Sequence, residues 1–441
     1  MIQKVKSLLQ SQKLLSFASN GIGAVLGLAS FALLARTLSK SELGVWAIFM
    51  AVSTLSDMLR NGWVGKPLIK FYASQEKDSG RREILGTAWY MGITASIVLG
   101  VIVTVVFVGI AYWSHNDDYY LYAVFFLPLV LFNLPMNMSR WVLNAKIRFD
   151  QMMWLRIFLQ SIFFIGIGLE YYYDFGLWFI FMSYVAASFS SSAITLIKGW
   201  GQITTLPHRS KSTRQQLASF GKYSMGSQIS GSLLRSSDTF IIGIFMGERA
   251  VALYEVPMRL VNLIDIPLRA LVSYSFPMLS GAFRQKSQAD FQEQYERAVG
   301  FAFLLLLPVA LLTFVFAETL VVWMGGEEYR EAALIMRMFS IYMGFTAIDR
   351  YVGVGLDVVN RPRRNYYKVL VMLAINVLGD LAVVQLTDEV HWVAFVTIFT
   401  FSGGAIYGSY YLHQFVKLSP VKIVLMGFKE IQKIVNNLVS K

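Results

Sequence analysis

Apolar stretches alternate with short polar links along the whole chain, and the links alternate in sign. Twelve stretches carry the pattern, each of roughly 20 residues or more, enough at about 1.5 Å per residue to cross a bilayer core. They fall near 14–36, 43–65, 85–113, 119–141, 152–170 and 175–197, then 221–246, 250–281, 298–324, 332–358, 365–387 and 391–415. Links holding Asp117/Asp118, Glu170/Asp174, Glu327/Glu328/Glu331 and Asp388/Glu389 are acidic. The alternate links are basic, with Lys66/Lys70/Lys77/Arg81/Arg82, Lys146/Arg148, Lys198/Arg209/Lys211/Arg214 and Arg361/Arg363/Arg364/Lys368. Lys and Arg concentrate on the cytoplasmic side of membrane proteins, so both termini and every basic link are expected there. The net charge of +12 is therefore a topology signal, and no nucleic acid partner is needed to explain it.

Composition agrees. A chain that is 56% hydrophobic and 15% charged is an integral membrane protein. The opening MIQKVKSLLQSQK lacks the apolar run of a cleaved signal peptide, so the first span is expected to stay. Zero cysteines exclude disulfides, thiolate metal sites and cysteine catalysis. The four histidines (His115, His208, His391 and His413) are scattered, with no HExxH spacing and no GxxxxGK[ST] loop nearby. No metal or cofactor is expected. Outer links this short leave no room for a folded active-site loop, so the chain is not read as an enzyme.

The basic link 198–220 divides the spans six and six. A shift of 208 residues lays LLARTLSKSELGVW (33–46) over IIGIFMGERAVALY (241–254) and Asp57 over Asp265. An even number of spans per half makes this a parallel repeat, as in alternating-access transporters. The expected fold is thus an all-α polytopic membrane protein, with two six-helix lobes around a central cavity. Its expected parts are an interfacial segment 1–13, an N-lobe 14–197, the linker 198–220, a C-lobe 221–416 and an amphipathic basic helix 417–441. In that last helix Val424, Phe428, Ile431, Val435 and Leu438 share one face opposite Lys422, Lys429 and Lys433, the pattern of a helix lying on anionic headgroups. Ile2, Val5 and Leu9 repeat it at the start.

Charged residues inside spans carry the candidate chemistry: Asp57, Arg60, Arg235, Asp238, Arg259, Asp265, Arg269, Arg337, Asp349, Arg350 and Asp380. Each costs roughly 2.5–3.5 kcal/mol at the bilayer centre, so they must face protein or water. Asp57/Arg60, Arg235/Asp238 and Asp265/Arg269 lie three or four apart, on one helical face, and local pairing is one reading of them. The other is a hydrophilic cavity in which Arg60, Arg235, Arg269 and Arg350 meet an anionic cargo, arginine being suited to bidentate contact with phosphate or carboxylate. Asp57, Asp238, Asp265 and Asp380 serve either ion coupling or charge pairing. Asp349 and Arg350 are adjacent and need partners elsewhere. Pro128 and Pro135, and Pro257, Pro267 and Pro277, mark expected kinks. Gly23/Gly27 and Gly404/Gly408 suit close helix packing, and Tyr119, Tyr120, Tyr171–Tyr173 and Trp178 suit an outer aromatic belt.

The stretch LASFALLARTLSKSELGVWAIFMAVSTLSDMLRNGWVGKPLIKFYAS (28–74), with its LLAR-x-L helix end and LG-x-W turn, resembles the opening of bacterial polysaccharide-unit flippases of the O-antigen type. These belong to the multidrug/oligosaccharidyl-lipid/polysaccharide exporter superfamily. The resemblance implies a multidrug-and-toxin-extrusion-like fold in a bacterial inner membrane. It implies flipping of an undecaprenyl-diphosphate-linked oligosaccharide, with the lipid-linked glycan, membrane lipids and other polysaccharide assembly proteins as partners. A cation-coupled drug antiporter and another lipid-linked precursor flippase are the alternatives.

Overall fold

The computed structural model describes residues 12–115, 118–284, 288–416 and 419–439, and the N-terminal amphipathic stretch lies outside them. The described chain is helical, with no strand. Its helices are α1 (Gln12–Thr37), α2 (Lys40–Arg60), α3 (Lys66–Ser74), α4 (Asp78–Ser114), α5 (Asp118–Ala145), α6 (Phe149–Tyr173), α7 (Leu177–Ile197) and α8 (Lys211–Phe245). They continue as α9 (Glu248–Val261), α10 (Asp265–Arg284), α11 (Gln288–Val315), α12 (Ala317–Gly325), α13 (Ala333–Val358), α14 (Pro362–Leu386), α15 (His391–Leu412) and α16 (Pro420–Val439). Among the described residues nine helical segments are long and apolar enough to cross a membrane, and Gly23–Thr37 and Ser236–Phe245 are shorter apolar helices within the first and seventh expected spans.

The eighth expected span differs. Residues 250–281 form no single helix: α9 ends at Val261 and α10 begins at Asp265. Between them Leu263 N and Ile264 N reach back only three residues, to Leu260 O at 3.2 Å and Val261 O at 3.0 Å. Pro267 explains the break, because it has no N–H to give Leu263 O and its ring would clash with that carbonyl in a continuous helix. Pro128, Pro135, Pro257 and Pro277 stay inside continuous helices.

The chain forms two compact units, Met1–Ser232 and Leu233–Lys441. In the first, α2 runs through a π-helical turn (Asn61–Gly65) into α3. α8 crosses this turn so closely that a side chain on Gly62 would lie 2.7 Å from Met225 Cα. The basic link before α8 is folded onto α4: Trp89 Nε1 donates to Gly201 O at 2.8 Å, Ser210 N to Thr87 Oγ1 at 3.1 Å, and the Thr213 hydroxyl to Glu83. Gly23 and Gly27 on α1 face α6, where Gln160 Nε2 donates to Gly23 O at 3.0 Å. The windows 33–46 and 241–254 each span a helix end, a short turn and the next helix. The first turn carries a Ser39–Glu42 capping box. The second turns on Gly247 at φ 85°, a conformation that favours glycine.

In the second unit α11, α13 and α15 surround a core of Tyr295, Ala302, Leu356 and Leu412, all essentially inaccessible. The C-terminal helix is more than a surface float. α16 docks on α11 where Gly300 meets Gly427, and a side chain on Gly300 would collide with Ile423 O. Arg297 Nε reaches Glu430 at 3.5 Å beside this crossing. Val421, Leu425 and Phe428 form an exposed apolar ridge on the same helix.

Candidate functional site

The charges of the spans gather into separate clusters, and their partners come from several helices. In the first unit the Arg60 side chain, 1% exposed, is enclosed by α2, α4 and α5. Its Nη1 donates to Ser96 Oγ at 3.0 Å and Val130 O at 2.6 Å, while Nη2 pairs with Asp57. Asn137 Nδ2 adds a bond to Asp57 Oδ1 at 3.2 Å. Guanidinium and carboxylate thus neutralise one another, and neutral groups take up most of what remains.

The second unit buries its charge differently. Asp238 on α8 accepts from the Tyr254 hydroxyl of α9 and from Asn376 Nδ2 of α14 at 2.6 Å. One turn on, Asp380 Oδ2 accepts from the same amide nitrogen at 2.7 Å. Asp238, Asn376 and Asp380 are all nearly inaccessible. Asp380 Oδ1 has no hydrogen-bond partner among the described residues. The Arg235 side chain lies outside the described residues. Two carboxylates therefore share one amide, and every donor described around them is neutral. A buried charge needs a counter-charge or a proton, so the arrangement has the chemistry of a site for a proton or monovalent cation.

A third cluster is a closed ion pair. Lys368 Nζ lies 2.7 Å from Asp349 Oδ1 and 3.0 Å from Asp349 O, both side chains buried. Gly404 and Gly408 make room for it, since a side chain on Gly404 would lie 2.8 Å from Asp349 Oδ1 and one on Gly408 3.1 Å from Lys368 Cδ. Asp265 is more open, pairing with Arg269 at 3.0 Å and Arg350 at 3.3 Å. Arg259 reaches Glu255 at 3.4 Å.

The three- and four-residue spacings thus place Asp57 with Arg60 and Asp265 with Arg269. Asp349 and Arg350 diverge to Lys368 and Asp265. Sequence reasoning missed Lys368, which it placed in the basic link, and it missed Tyr254, Glu255 and Asn376. Asn376 stands four residues before Asp380, a helical spacing that could have flagged it. The tyrosines of the expected belt, Tyr171, Tyr172 and Tyr173, are exposed at the end of α6, with Trp178 on α7.

The comparisons add the family. A family profile described as polysaccharide biosynthesis protein matches residues 33–334. The chain is 22% identical over 418 residues to the probable low-salt glycan biosynthesis flippase Agl15 of Haloferax volcanii, across 91% of this chain and 83% of that protein. Among solved structures it is similar to the lipid II flippase MurJ, with TM-score 0.74 at 12% identity over 97% of this chain and 93% of the other. It is also similar to a multidrug resistance transporter of the MATE family, with TM-score 0.73 at 13% identity over 92% and 95%. At these identities the structures speak for fold alone. These relatives are transporters and flippases rather than enzymes. Apolar helices, a fold shared with the MATE and MurJ structures and a profile match over most of the chain lead to one assignment: this multi-pass membrane protein belongs to the polysaccharide biosynthesis protein family.

Proposed function

We propose that the protein is a flippase that moves a lipid-linked glycan precursor from the cytoplasmic to the outer leaflet by alternating access. Near full-length similarity to Agl15 carries this reading. In its finer form the cargo is an undecaprenyl-diphosphate-linked repeat unit of O-antigen type, the membrane is a bacterial inner membrane, and both termini are cytoplasmic. The alternation of basic and acidic links supports that orientation. Other polysaccharide assembly proteins supply and receive the cargo.

Arg269 and Arg350 are the cations we assign to the anionic headgroup, because both are well exposed while sharing Asp265. Arg235 is assigned with them on its place in the seventh span. Arg60 has both terminal nitrogens committed inside the first unit, so its part is to hold α2, α4 and α5 together. Asp238 and Asp380 are the ion-coupling pair: a proton or sodium ion held there stabilises one state of the second unit. Asp57 and Asp265 act as partners of their arginines.

Reconstitution in liposomes tests this reading, with leaflet exchange of a polyprenyl-diphosphate oligosaccharide followed beside transport of a cationic dye. The expected result is glycan-lipid exchange without dye transport, weakened when Arg269 and Arg350 are both changed to Gln. Dye transport without glycan-lipid exchange would sink the flippase reading and leave a drug antiporter.

A further inference from the structure

In the second unit, the ends of α10 and α13 and the starts of α11 and α14 meet beside the end of α15. Two cavities open there and share Asn360. One, of about 680 Å³, is lined by Arg361, Arg363, Arg364 and Tyr367. None of these three arginines forms an ion pair among the described residues. They are held by rings instead: Arg363 Nη2 bonds Tyr367 Oη at 3.0 Å, and the Arg364 guanidinium lies 4.2 Å from the Tyr411 ring centre. Cation–π contact and hydroxyl bonds orient a guanidinium without neutralising it.

The neighbouring cavity, of about 620 Å³, is lined by Phe283, Phe291 and Phe415 together with Arg284, Asp357 and Asn360. Its rings pack edge to face, Phe283 to Phe291 at 5.4 Å and Phe283 to Phe415 at 6.3 Å. Arg361 joins the two cavities, since its guanidinium lies 5.9 Å from the Phe415 ring centre. Aromatic walls with a few carboxylate and amide groups suit a sugar, whose C–H face lies on a ring while its hydroxyls meet Asp and Asn. Uncompensated arginines suit phosphate oxygens, by bidentate charge-assisted bonds.

We propose that this pair of cavities is a glycosyl-diphosphate recognition site: Arg361, Arg363 and Arg364 hold the diphosphate, and the Phe283–Phe415–Asp357–Asn360 cavity holds the first sugar. The inference rests on the flippase reading for its cargo, and it assigns that cargo a first docking position on the cytoplasmic side. Headgroup and sugar are read together because one residue, Asn360, lines both cavities.

Binding to the full-length protein in nanodiscs of neutral lipid tests it. The probes are geranyl diphosphate carrying N-acetylglucosamine, geranyl diphosphate alone, and inorganic pyrophosphate. Changing Arg361, Arg363 and Arg364 together to Gln is expected to weaken both geranyl probes by roughly tenfold or more. Phe283→Leu with Asp357→Asn is expected to weaken the glycosylated probe alone. The corresponding triple change to Lys keeps the charge and loses the fork, and it is expected to fall between wild type and the Gln variant. Equal binding of pyrophosphate and the glycosylated probe would show a bare phosphate site and overturn the proposal. Unchanged binding in the triple Gln variant would overturn it too. If that variant is misfolded, the Phe283/Asp357 pair still decides, because a loss confined to the glycosylated probe has no other source. Wild-type protein that exchanges the glycan lipid in liposomes while these variants bind normally would remove this site and leave the flippase reading standing. Wild-type protein that exchanges no glycan lipid would remove the flippase reading, and this inference with it.

Discussion

Arg60 and Asp380 are equally buried charges in helical packing, and their surroundings answer those charges in opposite ways. Around Arg60 the first unit supplies an anion, a backbone carbonyl and a hydroxyl from three helices. Around Asp380 the second unit supplies a second carboxyl group and one shared amide, and one Asp380 oxygen has no hydrogen-bond donor among the described residues. A closed pair stabilises geometry, and removing one member leaves an uncompensated charge. Two buried carboxylates with no cation beside them among the described residues call for a proton or a cation instead. Buried charge is thus met by a counter-charge in one unit and, among the described residues, by none in the other.

Replacing Asp57 with Leu should break that contrast most strongly. Arg60, with its side chain 1% exposed, would be left buried without its anion, so stability should fall by about 3–5 kcal/mol, read as a lower melting temperature in detergent. Lys368→Met should cost a similar amount, because Asp349 is left buried and alone. Adding Asp349→Leu should restore most of the loss in a double-mutant cycle. Asp380→Asn should do the reverse: neutralising one of two like charges leaves the melting temperature unchanged or higher while ion-dependent transport is lost. A smaller effect is expected of Gly300→Val, whose side chain would collide with Ile423 O. That variant should cost about 1–3 kcal/mol and raise hydrogen exchange across Pro420–Val439. Least of all, Arg269→Gln should move stability by under about 1 kcal/mol, since its pair with Asp265 is solvent-screened.

Much of this architecture can be read from the sequence because a bilayer demands long apolar helices whose links differ in charge. The pairs within one helix, Asp57 with Arg60 and Asp265 with Arg269, are legible for the same reason: three or four residues make one turn. What escapes is whatever a distant helix contributes. Asn376 reaches Asp238 from 138 residues away, and only packing brings them together. Lys368 looks like an interfacial cation until α13 supplies Asp349. The break between α9 and α10 falls in a stretch long enough to be read as one span, although Pro267 marks it. Gly300 and Gly427 carry no motif at all, being single small residues on two helices that happen to cross.

Ion coupling by the second unit's carboxylate pair, as proposed above, shows most directly in one rate. Glycan-lipid exchange in proteoliposomes would be measured with and without an imposed sodium or proton gradient, for the wild type and for Asp380→Asn. The account predicts a wild-type rate that rises with one of the gradients and a variant rate that is the same under all of them. A folded Asp380→Asn protein that responds to the gradient as the wild type does would contradict it.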